Sequence, residues 1–129
     1  MDHSLKNPLV LAYLGDSVLE MHVRMHLIET LKIGKVNQMN KMALDYVSAA
    51  AQQDFVAHLL AHDVLEPLEK QLYLRGRNHK ESRSKKSNHH HSTGFEAILG
   101  YHHLCDNQQR IEKIMELYYQ YNDTKLRQI

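Results

Sequence analysis

The stretch "LVLAYLGDSVLE", residues 9–20, decides how this chain is read, because a Gly-Asp pair, Gly15 and Asp16, interrupts a nearly unbroken apolar run. Gly-Asp between apolar runs is a signal for the turn of a β-hairpin. On a helix the same pair places a carboxylate on an apolar face. The neighbours favour the helix: Leu9, Leu11, Ala12, Leu14, Leu19 and Met21 are good helix formers, and only Val10, Tyr13 and Val18 prefer strands. At about 100° per residue, Asp16 shares a stripe with Leu9, Ala12, Tyr13 and Val23, with Glu20 one turn further on. An isolated buried charge costs several kcal/mol unless it is paired, hydrogen-bonded or metal-bound. Asp16 is therefore either satisfied in the core or by a basic side chain, or it is a metal ligand. Spacing leaves both readings open.

The rest of the chain extends the helical reading. Leu, Ala, Met, Gln, Glu and Lys are abundant, there are two prolines, and the alternation of a half-buried sheet is missing. An all-α single domain over residues 1–129 follows, with 43% apolar content to fill one core. We expect a helix from Leu5 to Leu31, a break at "KIGKV" around Gly34, and a long helix from Asn37 to His62. A shorter helix from Glu66 to Leu74 carries Pro67 in its first turn. A polar loop is expected from Arg75 to His91, then a helix from Thr93 to Cys105 and a last one to Leu126, capped by Asn107.

Charge and cysteine content narrow the class of partner and compartment. Net charge is +1 with histidines neutral. The segment "RGRNHKESRSKK", residues 75–86, sets Arg75, Arg77, Lys80, Arg83, Lys85 and Lys86 against Glu81 alone. Such a local excess of cations is a footprint for a polyanion, or else a solvated loop. No apolar run approaches the roughly 18 residues of a membrane span, and "MDHSLKNP" lacks a signal-peptide pattern, so a cytoplasmic protein is expected. Cys105 is the single cysteine, which suits a reducing compartment, and it is expected to be a small buried apolar residue.

A second unusual stretch is "HSTGFEAILGYHHL", residues 91–104, again an apolar helix carrying one acid, Glu96. Thr93-Gly94-Phe95-Glu96 also fits a T-x-x-E capping box, in which Glu96 serves the helix start. Taken together, "YLGDSVLE" at 13–20 and "STGFEAILGYHHL" at 92–104 resemble the two signatures of the ribonuclease III catalytic domain. Over nearly its full length the chain resembles Mini-ribonuclease III, the form reduced to that domain. Asn7, Ala12 to Asp16, Val47-Ser48-Ala49 with Gln52, "RGRN" at 75–78, and Ser92-Thr93 with Phe95 to Ala97 carry the likeness.

The resemblance implies the ribonuclease III helical fold, and Asp16 and Glu96 as catalytic, metal-binding acids. Leu9, Ala12 and Thr93 stand where full-size ribonuclease III has further acids, which is the Mini-ribonuclease III pattern. Glu20 is a further candidate ligand, directly or through water, or a solvated helix residue. The cofactor implied is magnesium, with manganese as a substitute, since magnesium needs only one or two protein carboxylates beside waters and phosphate oxygens. Only "NDTKLRQI" follows the last helix, so the resemblance implies that the catalytic domain grips double-stranded RNA without a separate RNA-binding domain. Arg75, Arg77, Asn78, Lys80, Lys85 and Lys86 are the RNA-binding candidates, with cations on phosphates rather than bases.

The resemblance further implies maturation of 23S (large-subunit) ribosomal RNA precursor, 5′-phosphate and 3′-hydroxyl products, and a homodimer with two centres. Apolar residues around Phe55 and Leu99 are candidates for the dimer interface or for the core. The alternative function is a catalytically silent RNA-binding or ribosome-assembly protein of the same fold. A zinc enzyme is the weaker reading: His22 with His26 and His58 with His62 are i,i+4 pairs, but no H-E-x-x-H or cysteine cluster accompanies them. His89 to His91 are either a variable loop or a source of pH-dependent charge.

Overall fold

The computed structural model describes residues 2–79 and 89–127, and the described residues form six α-helices after a short 3-10 turn, His3–Leu5. Helix α1 (Pro8–Glu29) starts three residues later than expected, because the Asn7 side chain accepts from the Leu9 amide at 2.9 Å and Pro8 occupies the first position. The Gly15-Asp16 pair is helical, not a hairpin turn.

The single helix expected over Asn37–His62 is two, α2 (Val36–Val47) and α3 (Ala49–Ala61). Ser48 divides them with an extended backbone, φ −63° and ψ 154°. Its amide closes α2 on the Leu44 carbonyl, and its hydroxyl accepts from the Ala51 amide at 3.2 Å to open α3. Helix α4 (Pro67–Asn78) opens with a capping box between Glu66 and Glu69, and runs past Leu74 to take in the first four residues of the expected loop. Helix α5 (His89–Leu104) begins upstream of Thr93, and α6 is Gln108–Arg127. Asn107 accepts from the Arg110 amide at 3.4 Å, as a cap should.

Helix α5 is the centre of the molecule, and glycine pairs let its backbone touch both neighbours. A Cβ on Gly15 would stand 1.7 Å from the Glu96 carbonyl oxygen, and one on Gly100 would stand 1.9 Å from that of Leu11. On the other side, a Cβ on Gly76 would meet the Gly94 Cα at 2.8 Å, and one on Gly94 the Tyr73 carbonyl at 2.7 Å. No side chain fits between α1 and α5, or between α5 and α4, at these crossings. Phe55 and Leu99 are fully buried in the chain's own core, with Phe55 edge-on to Phe95 and Tyr118, so they belong to the core and not to an interface. Cys105 is exposed, against expectation. It lies in the turn after α5, where Asp106 adopts φ 56° and the chain reverses at the surface. Among the described residues no helix is long and apolar enough to cross a membrane.

An ion pair on a buried carboxylate ties α4, α5 and α6 together. Glu69, 1% exposed, receives Arg110 Nε at 2.8 Å and Nη2 at 2.7 Å, with His102 Nε2 at 2.7 Å. Burial alone would raise the Glu69 pKa, but the Arg110 and His102 hydrogen bonds overcome it and hold the group down at about 2.

Candidate active site

Asp16 and Glu96 lie eighty residues apart in the chain and come together where α1 crosses α5. The missing Cβ of Gly15 brings the Glu96 backbone against α1, and the next residue, Asp16, then lies near enough for its charge to act on the Glu96 carboxyl. Asp16 is exposed and Glu96 is partly buried. Burial first, and then the Asp16 charge, push the Glu96 carboxyl up to about 8. A hydrogen bond from Gln52 opposes the shift, and Glu20 adds a weaker repulsion.

The capping-box reading of Glu96 is overturned. Helix α5 already runs from His89, so Thr93 and Glu96 both lie inside it and no helix start is there to cap. Leu9, Ala12 and Thr93 line one cleft with Asp16, Gln52 and Glu96. Tyr13 stands on the rim of this cleft, 85% exposed. Glu20 is exposed and lies 3.9 Å from Arg24.

Two adjacent carboxylates, one kept protonated near neutral pH by burial and by the charge of the other, fit a hard divalent cation. A cation offsets their repulsion, and its binding releases the Glu96 proton. Asp16 and Glu96 are the residues that would hold it. Among the described residues no group of three or more His, Cys, Asp or Glu suits a metal ion. The histidine pairs have other work: His26 is buried against Asp123 at 3.2 Å and stacks on Tyr119, while His62 Nδ1 lies 2.9 Å from the His58 carbonyl.

The basic candidates divide. Arg75 donates to the carbonyls of Ser4 and of Lys6, the latter at 2.8 Å, and so ties the N-terminal turn to α4. Arg77 lies 5.8 Å over the Tyr73 ring and donates to the Asn78 side chain at 3.1 Å. Lys80, Lys85 and Lys86 lie outside the described residues. One residue at the site carried no assigned role in the sequence: Gln52, buried on α3, donates to Glu96 Oε2 at 3.3 Å. Its signal was a polar side chain among Ala51, Phe55, Val56 and Leu59 on an apolar helix face.

Comparison with known proteins assigns the family. Residues 9–107 match the Ribonuclease III domain family. The Mini-ribonuclease 3 of Streptococcus pneumoniae (strain ATCC BAA-255 / R6) is 40% identical over 121 residues, covering 89% of this chain and 92% of that one. That of Brevibacillus brevis is 40% identical over 119 residues, covering 89% and 87%. The crystal structure of protein FN1578 from Fusobacterium nucleatum superposes with a TM-score of 0.77 at 23% identity, over 90% of this chain and 93% of that one, and so shares the fold. The chain therefore belongs to the ribonuclease III family, in its Mini-ribonuclease 3 group, and is an endoribonuclease of that type.

Proposed function

We propose that this endoribonuclease cleaves double-stranded RNA with magnesium, or manganese in its place, held by Asp16 and Glu96. The observation that carries the reading is the Asp16–Glu96 carboxylate pair across the Gly15 crossing. Asp16 is exposed on α1 and Glu96 is partly buried on α5, so an incoming phosphate would meet Asp16 first. A bound divalent cation supplies polarisation of the phosphodiester and a water of lowered pKa. Hydrolysis leaves 5′-phosphate and 3′-hydroxyl ends.

One carboxylate pair serves one strand, so cutting both strands in a single encounter takes two copies. A homodimer is the economical solution. Tyr13, an aromatic residue almost wholly in solvent on the rim of the cleft, supports an interface there. The family likeness supports large-subunit ribosomal RNA precursor as the substrate and the cytoplasm as the place of action.

The test is incubation of the purified chain and its Asp16→Asn variant with a long RNA duplex, with and without magnesium. Cleavage by the wild type only, with magnesium only, is expected. Cleavage in a chelator, or by Asp16→Asn at the wild-type rate, overturns the reading.

A further inference from the structure

Gln52 is 1% exposed, and a buried amide on an apolar helix face needs a reason. Its Nε2 donates to two acceptors, the Val47 carbonyl at 3.1 Å and Glu96 Oε2 at 3.3 Å. The Val47 carbonyl accepts only, so it fixes the amide orientation: the nitrogen must face it. Its Oε1 is buried and has no hydrogen-bond partner among the described residues. A buried acceptor left without a donor costs about 1–3 kcal/mol, a cost that Leu or Met at this position would not carry. Packing alone therefore does not account for an amide.

The brace begins at the helix break. Because α2 stops at Val47 and Ser48 is extended, the Val47 carbonyl is available to the side chain of Gln52 on the next helix. Gln52 in turn holds one oxygen of Glu96, whose other neighbour is Asp16. Resting on the assignment of Asp16 and Glu96 as cation ligands, we propose that Gln52 is the positioning residue of that site. Its amide N–H fixes the Glu96 carboxyl against the Val47 brace.

The experiment measures Mn2+ binding to the full chain without RNA, by calorimetry or electron paramagnetic resonance, for wild type, Asp16→Asn and Gln52→Met. Removing a group that orients a metal ligand typically weakens the metal about 10–100-fold. Gln52→Met is expected to lose at least about tenfold in Mn2+ affinity, and to need correspondingly more metal for half-maximal cleavage. Its KM for duplex RNA at saturating metal should stay within about twofold of wild type, because Gln52 holds a ligand and not the substrate. Should Gln52→Met fail to fold, Gln52→Asn keeps the amide one methylene short of both partners and carries the same expectation. Mn2+ affinity within about twofold of wild type in either folded variant, with Asp16→Asn impaired, overturns the role of Gln52 alone. Equal Mn2+ binding by wild type and Asp16→Asn overturns the metal site itself, and this inference with it.

Discussion

Gly15 and Glu96 touch through their backbones: a Cβ added to Gly15 would stand 1.7 Å from the Glu96 carbonyl oxygen and 2.5 Å from its carbon. No rotamer relieves a clash with main chain, so α1 and α5 must part. Gly15→Ala is expected to lower stability by about 3 kcal/mol, at the upper end of ordinary overpacking, and to abolish cleavage by separating Asp16 from Glu96. Gly34→Ala, with nothing within 4 Å, is the neutral control. Urea unfolding of both variants checks the contrast.

Glu96→Gln separates ligand from scaffold. In the folded, metal-free chain the Glu96 pKa of about 8 lies above its ordinary 4.5. Its neutral form is the one that the fold favours, so the stability this provides is full below 4.5 and disappears as pH rises to about 8. Gln cannot ionise. At pH 9 without metal, Glu96→Gln should therefore melt no lower than wild type, while its cleavage falls by more than about 100-fold, beyond the loss typical of a supporting residue. Melting curves at pH 5 and pH 9, with a duplex assay, decide it.

Asp16→Asn removes the charge that opposes ionisation of Glu96. The Glu96 pKa should fall from about 8, though burial keeps it above 4.5. Carboxyl 13C chemical shifts followed through a pH titration of the metal-free protein read this directly. An unmoved Glu96 would mean that burial alone sets its pKa.

Arg110 donates two hydrogen bonds to the buried Glu69 carboxylate. Removing one partner of a buried ion pair costs up to about 3–5 kcal/mol, and here His102 Nε2 still meets Glu69 at 2.7 Å, which brings the cost to the lower end of that range. Arg110→Met should show a loss of that size at pH 7. The folded Glu69 pKa, about 2, lies below its ordinary 4.5, so the stabilisation is present above 4.5 and drains away as pH falls toward 2. Wild type and Arg110→Met should therefore converge in stability across that window in acid-unfolding curves.

Arg75 and Arg77 should part company in RNA binding. Arg77→Ala is expected to weaken duplex binding and to reduce the salt slope of log K by about 1, as for one lost phosphate contact. Arg75 holds the carbonyls of Ser4 and Lys6, so Arg75→Ala should speed hydrogen exchange in the turn at residues 3–6. Filter binding at several salt concentrations, with exchange mass spectrometry, compares them.

Local chemistry along the chain determined the helical class, the presence of each major helix, and Asp16 and Glu96 as acids set into apolar helices. Those readings depend on side-chain type and spacing within a few turns, which a sequence displays. Tertiary structure decided the rest. Ser48 breaks one expected helix into two because its backbone and hydroxyl serve two helix ends at once, a choice that neighbouring Val47 and Ala49 do not announce. The Thr93–Glu96 spacing imitated a helix start, yet α5 already runs through it from His89. Gln52 became a site residue only when the α2–α3 break turned the Val47 carbonyl and Glu96 toward its amide. The contact between Asp16 and Glu96, and with it the raised Glu96 pKa, exists because two glycines let two helix backbones touch, and no local pattern shows which distant glycine a helix will cross.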